Sequence, residues 1–180
     1  SEYRVSLVGY TNAGKSTLFK ALTGTDVYIQ DQLFATLDTT IRKLSLDSSH
    51  TILLSDTVGF IRKLPHNLVA SFKSTLKEVL EADMILMVLD ISSPQISEHI
   101  TTIFDVLKEM SANKIPIVKV LNKVDLISNG KLIQKLQQSF PDSVTISARN
   151  HLRLSDLKQK IITMMESNYE TVDLKFTYDD

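Results

Sequence analysis

The sequence predicts an α/β fold with three layers, in which helices cover both faces of a mostly parallel, six-stranded sheet. Three observations predict it: apolar runs at 84–89 and 115–121, helical stripes of apolar residues between such runs, and a strand–turn–strand pattern at 41–55. Continuous apolar runs are typical of strands buried on both faces. Strands that alternate with helices form parallel sheets through right-handed crossovers. The strand–turn–strand pattern adds one antiparallel edge hairpin.

Strand and helix patterns alternate along the chain. Six segments carry strand patterns: 5–8, 41–47, 51–55, 84–89, 115–121 and 143–146. Five segments predict helices, most of them from apolar residues on one face: 16–22, 65–80, 96–110, 132–136 and 154–165. The stripe predicted for 96–110 consists of Ile96, Ile100, Ile103, Phe104, Leu107 and Met110. Segment 24–40 is polar, mixed and without a period, and a loop of that length is usually functional or mobile.

The carboxyl-terminal tail has a different pattern. Residues 172–178 alternate apolar and polar, like a strand that begins after the domain has ended, and the chain starts almost inside its first strand. We therefore expect one domain over residues 1–170 and, at 171–180, the start of a following segment of a longer protein.

Composition restricts the function classes. The chain has 180 residues, of which 43% are hydrophobic and 23% charged, as in one ordinary globular domain. The net charge of −1 argues against a broad basic surface for nucleic acid and against a DNA partner. It does not exclude local basic patches. The absence of cysteine excludes disulfides and thiolate metal sites. No apolar run approaches the roughly 18 residues of a membrane span, and a protein without a signal peptide is expected. A cytoplasmic monomer is expected, with four histidines as ordinary surface or loop residues: His50, His66, His99 and His151.

A glycine-rich loop predicts phosphate binding. Gly9-x-x-x-x-Gly14-Lys15-Ser16 follows the first strand and opens the first helix, which is the context that the phosphate-binding P-loop requires. Its N–H groups and the helix N-terminus form a nest for phosphates. Lys15 supplies a positive charge, and the Ser16 hydroxyl is a hard ligand for Mg²⁺. Without Lys15, triphosphate binding is expected to fail with the fold intact. The predicted nucleotide contacts are Gly9, Tyr10, Thr11, Asn12, Ala13, Gly14, Lys15, Ser16 and Thr17.

A second nucleotide signal follows the third strand. Asp56 can hold a metal through water, and the Gly59 N–H can sense the γ-phosphate. A D-x-x-G pattern alone indicates a turn at the end of a strand. Here it follows a strand that comes after the P-loop, and this order of motifs favours a nucleotide contact. The predicted contacts are Asp56, Thr57, Val58 and Gly59.

Segment 122–125 predicts the base. The Asp125 carboxylate can accept both guanine N1–H and the 2-amino group, and such a site rejects a base without them by roughly 10⁴-fold. Asn122 is expected to tie this loop to the P-loop, and the stem of Lys123 to cover the base. A backbone N–H from the triplet Ser147, Ala148 and Arg149 would reach guanine O6. The sequence therefore predicts a GTP/GDP site.

The threonine that ligates Mg²⁺ beside the γ-phosphate is not chosen by spacing. Three threonines lie close together, Thr36, Thr39 and Thr40, and each also suits the strand that follows.

Longer strings carry a family resemblance. Segments 9–19, 31–38, 56–65 and 68–76 are similar to the GTPase domain of the HflX family, within a likeness over residues 4–167. The resemblance implies a three-layer P-loop GTPase domain that hydrolyses GTP with Mg²⁺. It also implies a ribosome-associated protein that engages the large subunit and splits ribosomes under stress. It places Thr36 as the magnesium threonine, within a nucleotide-contacting segment of Phe34, Ala35, Thr36, Leu37 and Asp38. The family's amino-terminal domain and helical linker are not in this chain, and Thr39 stands where the family often has proline.

Two residues bear on the hydrolysis rate. Phe60 occupies the position where Ras-like GTPases place a glutamine that orients the attacking water, so slow intrinsic hydrolysis is expected. Asn12 resembles the asparagine of potassium-activated GTPases, where K⁺ supplies the missing charge. The alternative is that Asn12 only stabilises the loop. Together with Lys15, Thr36 and Gly59, Asn12 completes the predicted catalytic set.

Four basic residues flank the two switch segments: Arg42, Lys43, Arg62 and Lys63. Such residues usually form a solvated face, but here they would lie beside the nucleotide and can contact ribosomal RNA. Two other functions stay open: a GTP/GDP switch with negligible hydrolysis, and a related GTPase of ribosome assembly.

Overall fold

The computed structural model describes residues 2–24, 40–57 and 77–176, with side chains described through residue 168. Its strands are β1 (Tyr3–Val8), β2 (Thr40–Ser45), β3 (Thr51–Asp56), β4 (Met84–Asp90), β5 (Ile117–Asn122) and β6 (Val144–Thr145). Its helices are α1 (Lys15–Thr23), α2 (Lys77–Leu80), α3 (Ile96–Glu109), α4 (Gly130–Ser139) and α5 (Leu154–Phe176). None of these helices is long and apolar enough to cross a membrane.

The six strands form one sheet in the order β2-β3-β1-β4-β5-β6. Only β2 and β3 pair antiparallel, from Thr40 opposite Asp56 to Ser45 opposite Thr51, and the other described pairs are parallel. The predicted mixed sheet with one edge hairpin is confirmed. Because the carboxyl ends of parallel strands lie at one edge, residues that follow β1, β3, β4 and β5 converge there.

Strand β4 separates two apolar cores. Met84, Leu86 and Val88 pack in the cluster that includes α1 and α5, whereas Ile85 and Met87 pack in the cluster beneath α3. Successive strand side chains point to opposite faces, so a continuous apolar run is what a sheet covered on both sides requires.

Helix α3 differs from its predicted stripe at two residues. Ile103 and Leu107 are fully buried as predicted, but Phe104 is 36% exposed, with the Lys119 ammonium 5.5 Å from its ring centre. Met110 lies just past the helix end but still packs against the core. Phe104 is therefore lost from the buried stripe, and Met110 belongs to the core but not to the helix.

Residues 172–176 were predicted to be extended, and this prediction was wrong. They form the end of α5, which continues to Phe176. A growing helix gains one backbone hydrogen bond for each added residue, whereas an extended segment needs a partner for its backbone groups. The short alternating pattern of the tail favours an extended conformation too weakly to overcome this gain in backbone hydrogen bonding. The division into 1–170 and 171–180 stays a prediction. Of the helix predicted after Pro65, only the last turn, α2, lies within the described residues.

Candidate functional site

The P-loop connects β1 to α1 through a 3₁₀ turn at Thr11–Ala13. Gly14 has φ 94°, and a Cβ there would overlap the side-chain nitrogen of Asn122. At Gly9, with φ 156°, a Cβ would lie 2.5 Å from the Val88 carbonyl oxygen. Both glycines are thus required because the loop backbone passes directly against the ends of β4 and β5.

Helix α1 presents its positive end to this loop. It begins at Lys15, directly after Gly14, and its first turn contains no acidic residue. The partial positive charge of a helix N-terminus attracts anions. The helix end, which opens directly after the glycine-rich loop, therefore fits a phosphate group.

A buried ion pair joins the P-loop to the end of β3. The Lys15 ammonium lies 2.6 Å from Asp56 Oδ1 and donates to the Thr57 carbonyl oxygen at 2.5 Å. Lys15 is 3% exposed and Asp56 is fully buried. The Ser16 hydroxyl donates to Asp56 Oδ2 at 3.4 Å. Two predicted metal ligands thus lie together, and their hydroxyl and carboxylate oxygens are the hard donors that Mg²⁺ prefers.

Asn122 connects three loops. Its side-chain nitrogen donates to the Ala13 carbonyl oxygen at 2.9 Å, and its Oδ1 accepts from the Ala148 N–H at 3.0 Å. The predicted link between the base loop and the P-loop is confirmed. The same residue also holds the third segment, Ser147–Arg149, in place.

Lys123 lies across the P-loop. Its backbone is left-handed, with φ 71°. Its ammonium donates to the Asn12 carbonyl oxygen at 2.5 Å and lies 3.2 Å from Asp90 Oδ2. The Ser92 N–H and hydroxyl donate to the other oxygen of Asp90 at 2.9 and 2.5 Å. Asp90 was not among the predicted site residues, although its signal was present: an acid at the carboxyl end of a buried parallel strand.

The pKa of Asp90 lies below its ordinary value. Burial raises it, but the bonds from Ser92 and the Lys123 ammonium lower it by more, so the net shift is downward from 3.8. Asp90 is therefore a carboxylate at neutral pH and faces Lys123 with a full negative charge.

A cavity of about 380 Å³ lies between the P-loop and the base loop. It is lined by Gly14, Thr17, Asn122, Lys123, Asp125, Leu126 and Arg149. This volume falls in the range of small-molecule sites. Asp125 and Arg149, predicted from separate segments, meet here. Leu126 was not predicted, and it is 59% exposed beside the cavity, as an apolar wall for a flat ring.

Tyr10 and His99 pack against each other, and His99 differs from the expectation made for it. The Tyr10 ring is 7% exposed within the core beneath α3 and stacks on the His99 ring, with centroids 4.0 Å apart. A nucleotide contact by Tyr10 is thus expected from its main chain only. His99 is not an ordinary surface histidine but a half-buried partner of the P-loop.

Part of the predicted site lies outside the described residues. This applies to the switch segment with Phe34, Ala35, Thr36, Leu37, Asp38 and Thr39, and to Val58, Gly59, Phe60, Arg62 and Lys63.

The fold and these loops define the class of the protein, a P-loop GTPase. A family model described as 50S ribosome-binding GTPase matches residues 4–123, and the chain belongs to this family. Within it, the chain is an HflX-family GTPase domain. GTPase HflX of Caldanaerobacter subterraneus subsp. tengcongensis is 46% identical over 175 residues, and that of Escherichia coli K12 is 44% identical over 158.

The alignments cover 97% and 87% of this chain but only 40% and 37% of those two relatives. Among solved structures, a GTP-binding protein of Sulfolobus solfataricus in complex with GDP is 30% identical, with a TM-score of 0.73 over 92% of this chain and 53% of that one. Era in complex with MgGDPNP and nucleotides of 16S ribosomal RNA is 27% identical, with a TM-score of 0.69 over 89% and 56%.

Proposed function

We propose that this site binds GTP with Mg²⁺ and hydrolyses it slowly, and that association with the large ribosomal subunit accelerates the reaction. The observation that carries the nucleotide part is the Asn122 link, because one side chain holds the phosphate loop and both base-binding loops around a single cavity. The family's description as a 50S ribosome-binding GTPase supports the ribosomal part.

The base is guanine in this proposal. Asp125 is exposed at the cavity, where its carboxylate would accept from guanine N1–H and the 2-amino group. The Ala148 N–H already donates to Asn122. The Arg149 N–H, on a residue that lines the cavity, is therefore the proposed donor to guanine O6. Lys123 and Leu126 would lie against the purine ring.

The phosphates are held by charge and by backbone N–H groups. An ammonium has three N–H donors, and two of those on Lys15 are directed at Asp56 and Thr57. The third would donate to the phosphates. Ser16, Thr36 and, through water, Asp56 would hold Mg²⁺. When bound, the ion neutralises charge on the transferring phosphoryl group.

Slow hydrolysis follows from Phe60, because a phenyl ring cannot orient the attacking water. Thr36 and Gly59 are proposed to contact the γ-phosphate. The Asn12 main-chain carbonyl already stabilises the loop through Lys123, and its side chain is exposed. Because the main chain alone stabilises the loop, the exposed side chain of Asn12 is left for a second role, which we propose is K⁺ binding. The ion would stabilise charge in the transition state.

The ribosomal contact is proposed at the hairpin. Arg42 and Lys43 are exposed on β2, the edge strand; Lys43 is paired with Glu2 at 3.3 Å and Arg42 donates to the Ile41 carbonyl. Both side chains are exposed, so phosphates of ribosomal RNA can reach them, with Lys43 exchanging its exposed partner Glu2 for a phosphate. Arg62 and Lys63 are predicted neighbours. A cytoplasmic location follows from a ribosomal role.

GTP turnover tests the proposal. The rate is measured in KCl and in NaCl at equal ionic strength, with a titration of large subunits. We expect a low basal rate, a rise with subunits, and a faster rate in K⁺ that Asn12→Ala removes. Arg42→Ala with Lys43→Ala should weaken the subunit response, whereas Lys131→Ala with Lys135→Ala, on exposed residues of α4, should not.

Three results separate the alternatives. No turnover with saturating subunits would indicate a switch without hydrolysis. Stimulation only by assembly intermediates would indicate an assembly GTPase. Fast turnover of the chain alone in Na⁺ would contradict the proposed catalytic deficit.

A further inference from the structure

Asp90 is the last residue of β4 and lies directly opposite Asn122, the last residue of β5. The Ile91 N–H donates to the Asn122 carbonyl oxygen at 2.9 Å, so the two strand ends are fixed relative to each other. This register brings the Asp90 carboxylate beside the next residue of the base loop, Lys123. The pair is mostly shielded from water, because the side chains of Asp90 and Lys123 are 16% and 30% exposed.

Lys123 has an unusual conformation for a residue with a Cβ. Left-handed backbone is disfavoured for such residues and persists where surrounding contacts determine it. Here the ammonium has acceptors on two elements, the Asn12 carbonyl oxygen in the P-loop and Asp90 Oδ2 on β4. A lysine side chain loses much rotamer freedom when it is fixed. These two contacts fix it before any ligand arrives.

The Asp90 carboxylate is itself fixed. Its Oδ1 accepts from both the N–H and the hydroxyl of Ser92, which leaves Oδ2 directed at Lys123. Charge-assisted hydrogen bonds are shorter and stronger than neutral ones. The order of contacts thus runs from Ser92 to Asp90, then to Lys123, then to Asn12.

We propose that Asp90 is a positioning residue of the nucleotide site, whose carboxylate holds the Lys123 side chain across the P-loop along the wall of the base cavity. The inference rests on the proposed guanine site. Asp90 does not touch the nucleotide in this scheme. It strengthens binding because a side chain that is already in place loses less entropy when the base is bound.

A purely local role for Asp90 makes a different prediction. Bonds from Ser92 to Oδ1 also close the turn that follows β4. If Asp90 stabilised only that turn, its effect on nucleotide binding would not depend on Lys123. Ser92→Ala would then disturb nucleotide binding as much as removal of the carboxylate.

A double-mutant cycle tests the proposal in the 180-residue chain, with the Kd for GDP and for IDP as readouts. Asp90→Ala should weaken GDP by about 10-fold, the size of one charge-assisted bond partly screened by water. It should weaken IDP equally, because Asp125, which reads the 2-amino group, is untouched. In a Lys123→Met background, Asp90→Ala should add less than about 2-fold. Ser92→Ala should also change the Kd by less than about 2-fold, because the Ser92 N–H still holds Oδ1 and Oδ2 still faces Lys123.

Each other outcome has a definite meaning. Equal losses in both backgrounds, no loss in the wild-type background, or a full loss in Ser92→Ala would overturn the positioning role. If Lys123→Met itself leaves GDP binding unchanged, the positioning role is overturned as well; if the wild-type chain binds GDP and IDP equally, the proposed guanine site fails instead. Should Asp90→Ala not fold by circular dichroism, Asp90→Asn is judged by the same criteria.

Discussion

The side-chain amide of Asn122 lies 2.9 Å from the carbonyl oxygen of Ala13, a residue 109 positions earlier in the chain. Its other atom, Oδ1, holds the Ala148 N–H. Asn122 is 2% exposed, so neither bond can be replaced easily by water. The nucleotide cavity therefore depends on one buried amide for its shape.

Asn122→Ala should both destabilise the chain and abolish tight nucleotide binding. It leaves the Ala13 carbonyl and the Ala148 N–H unpaired in a buried place, at about 1–3 kcal/mol for each group. Asn129→Ala is a matched control, since Asn129 caps α4 through the Lys131 N–H. It should cost about 1 kcal/mol and leave the Kd for GDP unchanged. Urea unfolding and fluorescent-GDP titration measure both. Equal effects on binding would show that the cavity does not depend on Asn122.

Gly14→Ala should remove nucleotide binding because the new Cβ overlaps the Asn122 amide and φ is 94°. Gly24→Ala is the control: φ is 69°, but no described atom lies within 4 Å of the added Cβ. The control should lose about 1 kcal/mol of stability from backbone strain alone. Binding that survives in Gly14→Ala would mean that Asn122 has room to move aside.

Lys15→Ala should weaken GTP strongly and, contrary to the sequence-based expectation of an intact fold, also lower stability. The Asp56 carboxylate is fully buried, and removal of one partner of a buried pair costs about 3–5 kcal/mol. Adding Asp56→Asn should recover most of the stability but not the binding. Urea unfolding in EDTA, without Mg²⁺, makes the comparison. Unchanged stability in Lys15→Ala would show that water compensates the carboxylate.

Asp125→Asn should weaken GTP and admit xanthine nucleotides, whose C2 oxygen can accept a hydrogen bond from the new amide. A site that binds a specific donor pattern discriminates by roughly 10⁴-fold, so the preference for GTP over XTP should reverse. Asp105→Asn, an exposed residue of α3, serves as the control. Unaltered GTP affinity in fluorescent-nucleotide titrations would exclude Asp125 from base recognition.

Stability should fall at acid pH partly through Asp47 in the hairpin turn. The Ser49 N–H, and then the His50 side chain, lower the pKa of Asp47 below 3.8, although desolvation raises it slightly. Because the folded pKa is depressed, its contribution is complete above the unfolded value of about 3.9. It is lost as pH falls through the folded pKa. Asp47→Asn should therefore be less stable than wild type at pH 7, with the gap closing below about pH 4. A constant gap in urea unfolding from pH 3 to 7 would refute this.

Local patterns were sufficient for the order of elements and for the chemical identity of the motifs. Alternation within β4 and the helical stripe of Ile103 and Leu107 reflect the periods of strand and helix, which are properties of neighbouring residues. Gly14, Lys15 and Asp125 were likewise recognisable because each belongs to a short string after a strand. The fold class and the guanine chemistry were therefore determined by the sequence alone.

Only the tertiary structure decided which of these residues touch. Asp90 is hydrogen-bonded to Lys123, and Tyr10 stacks on His99. Both contacts form because the order of strands in the sheet brings together segments that are distant in the chain. Local periodicity contains no information on such pairs. The helical ending of α5 has a different origin, since local backbone hydrogen bonding outweighs a short alternating pattern. The sequence therefore determined the elements and motifs that depend on neighbouring residues. The tertiary structure decided which distant residues contact each other at the carboxyl ends of the strands.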